Sequence, residues 1–176
     1  MQGARKQNVE EIGGGAYGEN LIIGFVTMAV CLAIQCIVVG ALLDVLVFLE
    51  KRGMIRQTLV GMSFLLVALM LIMLAGNIIQ ITIWAGLFFG YGEFKEFATA
   101  FYHSVVNFAT LGYGDIVMSE KRRLLGALEA ANGVLMFALT TGFLYTILSG
   151  VLERYWDEQI GQKSESKRKY KRKRRL

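Results

Sequence analysis

The chain has 176 residues, 55% of them hydrophobic, with a mean hydropathy of +0.47 and a formal net charge of +5. So apolar a composition would leave a water-soluble globule of this size almost no polar surface, and it reads instead as one membrane domain. One histidine, no metal-ligand cluster and no nucleophile beside an evident base argue against an enzyme.

Residues 1–20 form a mixed-charge leading segment in which Arg5 and Lys6 are outnumbered by Glu10, Glu11 and Glu19. Its stretch "GGGAYGEN" lacks the Gly-Lys-Ser/Thr of a phosphate loop, so a flexible outer segment is expected there. A first spanning helix is predicted over 21–49, where Asp44 is the only charge. It starts too late and runs too long for a cleaved signal sequence, so it is expected to stay in the mature protein. Cys31 and Cys36 both fall inside it, which favours helix- or lipid-packed thiols over a disulfide or zinc site. A short loop at 50–57 carries Lys51, Arg52 and Arg56, and a second spanning helix without any charge is predicted over 58–89. An outer turn follows at 90–95, then a short helix over 96–108, a loop at 110–115, a third spanning helix over 122–152 and a basic tail over 153–176. Each of the three long segments exceeds the roughly 20 apolar residues that cross a bilayer.

Orientation follows from the basic residues, which gather on the cytoplasmic side of short loops. From Arg154 onward the chain holds ten Lys and Arg, nine of them in "KSESKRKYKRKRRL", and the 50–57 loop falls on the same side. Three crossings then place the N-terminus outside and the C-terminus in the cytoplasm. Lys121, Arg122 and Arg123 stand on the outer side against this rule and are outnumbered. A multi-pass protein of the cell membrane is expected, and the economy of the chain points to a bacterial inner membrane.

The 96–108 helix, apolar at Phe97, Phe101, Val105 and Phe108, would be roughly 20 Å long at 1.5 Å per residue, too short to span. It must enter and return on one side. Non-helical backbone at membrane depth is tolerated only where it is buried in protein or lines a watery cavity, which constrains the return arm at 110–115. In an ordinary strand successive carbonyls point to opposite sides, whereas glycine visits positive φ cheaply and lets neighbouring carbonyls turn the same way. Gly112 and Gly114 therefore permit a wall of oxygens, with the Thr110 hydroxyl at its inner end. Several such walls around an axis would replace the water shell of a monovalent cation.

Thr110, Leu111, Gly112, Tyr113, Gly114 and Asp115, set between a short helix and a spanning helix, resemble the potassium-channel pore family. That family's signature is Thr, a branched apolar residue, Gly, Tyr, Gly, Asp. The resemblance covers about 58–152 in the order outer helix, pore helix, selectivity filter, inner helix, with the 21–49 helix as an addition. The earlier Gly-Tyr-Gly at Gly90–Gly92 has no threonine before it and no short helix leading into it, so it reads as an ordinary turn. The resemblance implies an all-α membrane protein whose re-entrant pore helix and filter loop assemble as a homotetrameric pore. It assigns K⁺ to the backbone carbonyls of Thr110, Leu111, Gly112 and Tyr113, turns the Tyr113 ring into a supporting cuff and puts Asp115 at the outer mouth. No cofactor is implied beyond the permeant ion. Leu111 stands where Val or Ile is more usual, and Val106 where many relatives place a carboxylate behind the filter. His103 falls where relatives often carry a bracing aromatic, a helix-packing histidine being the alternative.

Gly133 lies nineteen residues after Gly114, where the family's inner helix often has a hinge glycine. Glycine also allows close helix contact, and both roles stay open. Thr140 shares the face of Gly133 and, with Thr141 beside it, is expected on the inner cavity; a hydroxyl bonded back into the helix is the alternative. Glu129 is costly inside a spanning helix. It is expected to supply, with Asn77 or Gln80, the polar support missing at Val106, against a simpler pairing with Arg122 or Arg123. The first helix lacks the regular arginines of a voltage sensor. The tail reads as a topology anchor and a solvated, disordered arm. Its Lys167, Arg168, Lys169, Lys171, Arg172, Lys173, Arg174 and Arg175 are expected to attract anionic lipids at about 1 kcal/mol each, with no nucleic-acid partner. The expected function is passive, potassium-selective conduction. The alternatives are a non-selective monovalent cation channel and a non-conducting membrane subunit acting through its tail.

Overall fold

The structure, a computed structural model, describes residues 2–53 and 59–173. Among these residues every regular element is helical: α1 Gln2–Lys51, α2 Leu59–Gly90, α3 Phe97–Phe108 and α4 Arg123–Lys173. Three stretches are long and apolar enough to cross a membrane, Tyr17–Lys51, Val60–Gly90 and Arg123–Gly150. Their apolar side chains lie on every face, and many have no protein over them: Val60 is 80% exposed and Phe64 78%. Only lipid can solvate such a surface, so the chain is an all-α membrane protein with three spanning helices and one short helix between the second and third.

Two elements run further than the sequence predicts. α1 passes straight through the glycine-rich stretch expected to be a flexible segment, and α4 continues through the basic tail to Lys173, where a disordered arm was expected. Both extensions grow from helices already nucleated by packing. Propagation from such a helix adds one backbone hydrogen bond per residue fixed and avoids the nucleation cost that an isolated segment would meet. Arg174 and Arg175, like Arg56, lie outside the described residues.

α1 packs along both α4 and α2, while α3 fills the angle between α2 and α4. The half of the bundle around α3 has its core at Cys31, Trp84, Phe88, Phe108, Leu125 and Met136; the far half is centred on Leu42, Leu69 and Met73. Helices in lipid gain no hydrophobic driving force from touching each other, so association rests on close packing and interhelical hydrogen bonds. One chain of bonds ties all three spanning helices. Gln80 Nε2 donates to Gln35 Oε1 at 2.7 Å, Gln35 Nε2 donates to Thr140 Oγ1 at 3.2 Å, and the Thr140 hydroxyl donates to Met136 O at 2.9 Å. Thr140 is thus corrected from a cavity position to a contact with α1, because its hydroxyl is the acceptor that Gln35 needs at that depth. Gln80 likewise gives its amide N–H to Gln35, not to Glu129.

The start of α1's span, the end of α2 and the start of α4 share one side. Asn20 Nδ2 donates to Lys121 O at 2.6 Å, and Glu93 accepts from both the backbone N–H and the hydroxyl of Ser119 at 2.9 and 2.8 Å. The segment between α2 and α4 therefore enters and returns on that side. Arg122 is buried there. It donates to Asn20 Oδ1 at 2.8 Å, pairs with Glu19 at 3.3 Å and lies 4.1 Å over the Tyr91 ring. Its partner is an acid of α1, not Glu129.

Candidate functional site

α3 begins after Glu96, whose extended backbone (φ −124°, ψ 135°) breaks the path from the α2 turn, and buries one face through Ala100, His103, Ser104, Val106 and Phe108. Its far end closes in a Schellman motif: Leu111 N–H donates to Val106 O at 2.9 Å and Thr110 N–H to Asn107 O at 2.8 Å. That motif needs a left-handed residue just past the cap, and here it is Thr110, with φ 58°. A β-branched residue in that region is strained by about 1–2 kcal/mol. The strain is held by the two hydrogen bonds beneath it.

Positive φ then recurs at every second residue, at Gly112 (58°) and Gly114 (74°). An ordinary strand alternates its carbonyls between two sides. Left-handed backbone at alternate positions lets neighbouring carbonyls turn to a common side. All six residues from Thr110 to Asp115 are exposed, Tyr113 at 66% and Leu111 at 52%.

The loop is fastened at several points. The Tyr102 hydroxyl donates to Asp115 Oδ2 at 2.8 Å, tying α3 to the loop's last residue. His103 sits against Phe88 and Phe94, with ring centroids 5.8 and 5.0 Å away. Its Nδ1 lies 3.1 Å from Ile116 O and its Nε2 lies 2.8 Å from Asn107 Nδ2. A carbonyl can only accept and an amide nitrogen only donate, which fixes the neutral Nδ1–H tautomer. Burial lowers the His103 pKa below the ordinary histidine value, in keeping with that neutral ring. His103 thus joins α3 to the segment leaving the loop. Between that segment, α3 and the first turns of α4 lies a cavity of about 570 Å³ lined by His103, Val106, Asn107, Gly112, Gly114 and Gly126 among others. Val106 contributes an apolar wall to it.

Glu129 is not among those lining residues. Fully buried, it faces Ser104 and Asn107 on the α4 side of α3. Asn77 is buried on α2 with its carbonyl oxygen unpartnered among the described residues. Four residues beyond Glu129 on α4, Gly133 meets the end of α3 so closely that an added Cβ would overlap the Phe108 carbonyl oxygen and stand 2.8 Å from its carbonyl carbon. This approach by itself demands glycine there, and α4 runs unbroken through it. Thr141 is exposed, its hydroxyl bonded back to Phe137 O at 2.8 Å.

Tyr102, Asn107, Ser119 and Arg122 were not singled out from sequence as holding the loop. Asn107 had a readable signal, since it stands at i, i+4 from His103 on a short helix. The Tyr102–Asp115 and Glu93–Ser119 bonds depend on a chain reversal that no spacing rule specifies.

No curated protein and no solved structure matches the chain. Residues 67–149, from within α2 through α3 and the whole 110–115 loop to the span of α4, match the family model described as an ion channel.

Proposed function

We propose that the protein is a potassium-selective channel, in which four copies place their 110–115 loops around a shared axis and conduct K⁺ passively. The observation that carries this reading is the left-handed backbone at Thr110, Gly112 and Gly114 in an exposed loop. A carbonyl wall suits a hard, weakly held cation that must also leave. One loop cannot enclose an axis, and the uncovered side chains of Leu111 and Tyr113 supply apolar surface for neighbouring copies to cover. In this reading Thr110, Leu111, Gly112 and Tyr113 offer backbone oxygens, Asp115 sits at the mouth, and His103, Val106 and Glu129 back the filter. Thr141 faces the cavity and Gly133 lets the inner helix approach the pore helix. The N-terminus is outside, and the basic end of α4 lies at the cytoplasmic face against anionic lipids.

The test is the reversal potential of the purified chain in liposomes with K⁺ on one side and Na⁺ on the other, with Gly112→Ala as control. A potential near the K⁺ limit, lost in the variant, is expected. A potential near zero with robust current would replace this reading by a non-selective cation pore. No current from folded tetramers, with or without Lys163–Leu176, would favour a non-conducting membrane subunit.

A further inference from the structure

Eight buried polar side-chain atoms meet no hydrogen-bond partner among the described residues; besides Asn77 Oδ1 and Gln80 Oε1, they are both carboxylate oxygens of Glu129, both amide atoms of Asn132, the Ser104 hydroxyl and Trp84 Nε1, on four wholly buried side chains. These side chains lie together. Glu129 faces Ser104 and Asn107, while Cys31 of α1 lies against Asn132 and Trp84 and within reach of Glu129. All four helices thus contribute to one layer just behind α3. Protein interiors leave few buried donors or acceptors unpaired, because each has given up its hydration without return. The nearby cation cannot help, since Arg122 is held by Glu19, Asn20 and Tyr91.

The mixture of atom types selects the occupant. A cation would suit Glu129, Ser104 and the Asn132 oxygen but would repel the N–H groups of Trp84 and Asn132. An anion would reverse the problem. Water both donates and accepts, and it typically makes about three bonds to otherwise unpaired buried groups. We propose that ordered water occupies this layer in every copy of the chain, bonded to Glu129, Asn132, Ser104 and Trp84, and that it bridges α4 to α3. Its consequence for conduction rests on the channel reading above: Ser104 stands six residues before Thr110 on the helix that sets the loop. Glu129 is then a positioning residue acting through this bridge.

The experiment has two arms. In the first, the structure of the full chain in lipid is determined at a resolution that shows water, once in K⁺ and once in Tl⁺. Density joining Glu129, Asn132 and Ser104 in both salts is expected. A dry layer with Glu129 bonded directly to Ser104, or an anomalous Tl⁺ peak there, would overturn the proposal. In the second arm, Glu129→Gln and Ser104→Ala are each expected to speed filter inactivation about tenfold, with the double variant no faster than either, since both cut the same bridge. A double variant about a hundredfold faster would show two independent contacts and sink it. A wild-type chain that fails to conduct would count against the channel reading alone, because the first arm does not depend on current.

Discussion

Gly133→Ala puts the close approach of α4 to the end of α3 under test. The added Cβ would overlap the Phe108 carbonyl oxygen and stand 2.8 Å from its carbonyl carbon and 3.1 Å from its Cα. Carbon atoms rest about 3.5–4.0 Å apart, so the end of α3 must retreat by at least roughly 0.7 Å. The obstacle is backbone and cannot rotate aside. Overpacking of this kind costs about 1–3 kcal/mol, against a gain of at most about 1 kcal/mol from alanine in a helix. The melting temperature should fall by about 2–4 °C for each kcal/mol of net loss. Thr110 lies two residues beyond Phe108, so the loop should shift with it and selectivity should weaken. Gly86→Ala, at a position with nothing within 4 Å, is the control and should melt at or above wild type. Thermal unfolding of purified protein and the liposome reversal potential together decide the matter. A Gly133→Ala protein that melts like wild type and changes only its opening kinetics would refute close approach and leave the hinge.

His103 gives the pH dependence. Its folded pKa lies below the ordinary value of about 6.5, so stability is complete above that pH and falls as the pH drops below it, where the unfolded chain takes up the proton first. His103→Gln should flatten this slope in melts between about pH 7 and 5, and an unchanged slope would assign it elsewhere. Thr110→Gly should relieve about 1 kcal/mol of left-handed strain and raise the melting temperature, and a fall would mean that the hydroxyl matters more than the strain. Arg122→Gln should cost about 1–3 kcal/mol through the lost Asn20 bond and Tyr91 stacking. Glu19→Gln, at a half-exposed carboxylate, should cost under about 1 kcal/mol and nothing at high salt. Equal losses in the two would overturn that division.

The spans and the short helix were legible because uncharged runs and a length of twelve residues carry their own physics. Alternate glycines likewise announced positive φ at 112 and 114. Thr110 did not, because its left-handed backbone is imposed by the Schellman closure of α3 and not by its own side chain. The cluster Lys121–Arg123, on the side expected to be outer, looked like a violation of the charge rule; tertiary structure buries Arg122 against Glu19, a partner 103 residues away. Thr140 was misplaced for a related reason. Its position on the α4 face was read relative to Gly133, but the packing of α1 against that face was invisible in sequence. The helical tail and leading segment show the limit of compositional reasoning, which scores a segment alone and not as the continuation of an anchored helix.

The placement of the polar contacts divides the bundle into unequal halves. Asn20, Arg122, Glu93–Ser119, Tyr102–Asp115 and His103 pin the side that carries the 110–115 loop, and Gln35–Gln80–Thr140 cross-links the spanning helices further along α4. Beyond Thr140 the helices meet through an apolar cluster that includes Leu42, Leu69, Met73, Phe143, Leu144 and Ile147. In lipid such contacts exchange for acyl-chain contacts at little cost, whereas directed bonds do not. α1, cross-linked to α4 through Gln35 and packed along the same stretch through Leu42, is therefore the element that a movement of this part of α4 must displace.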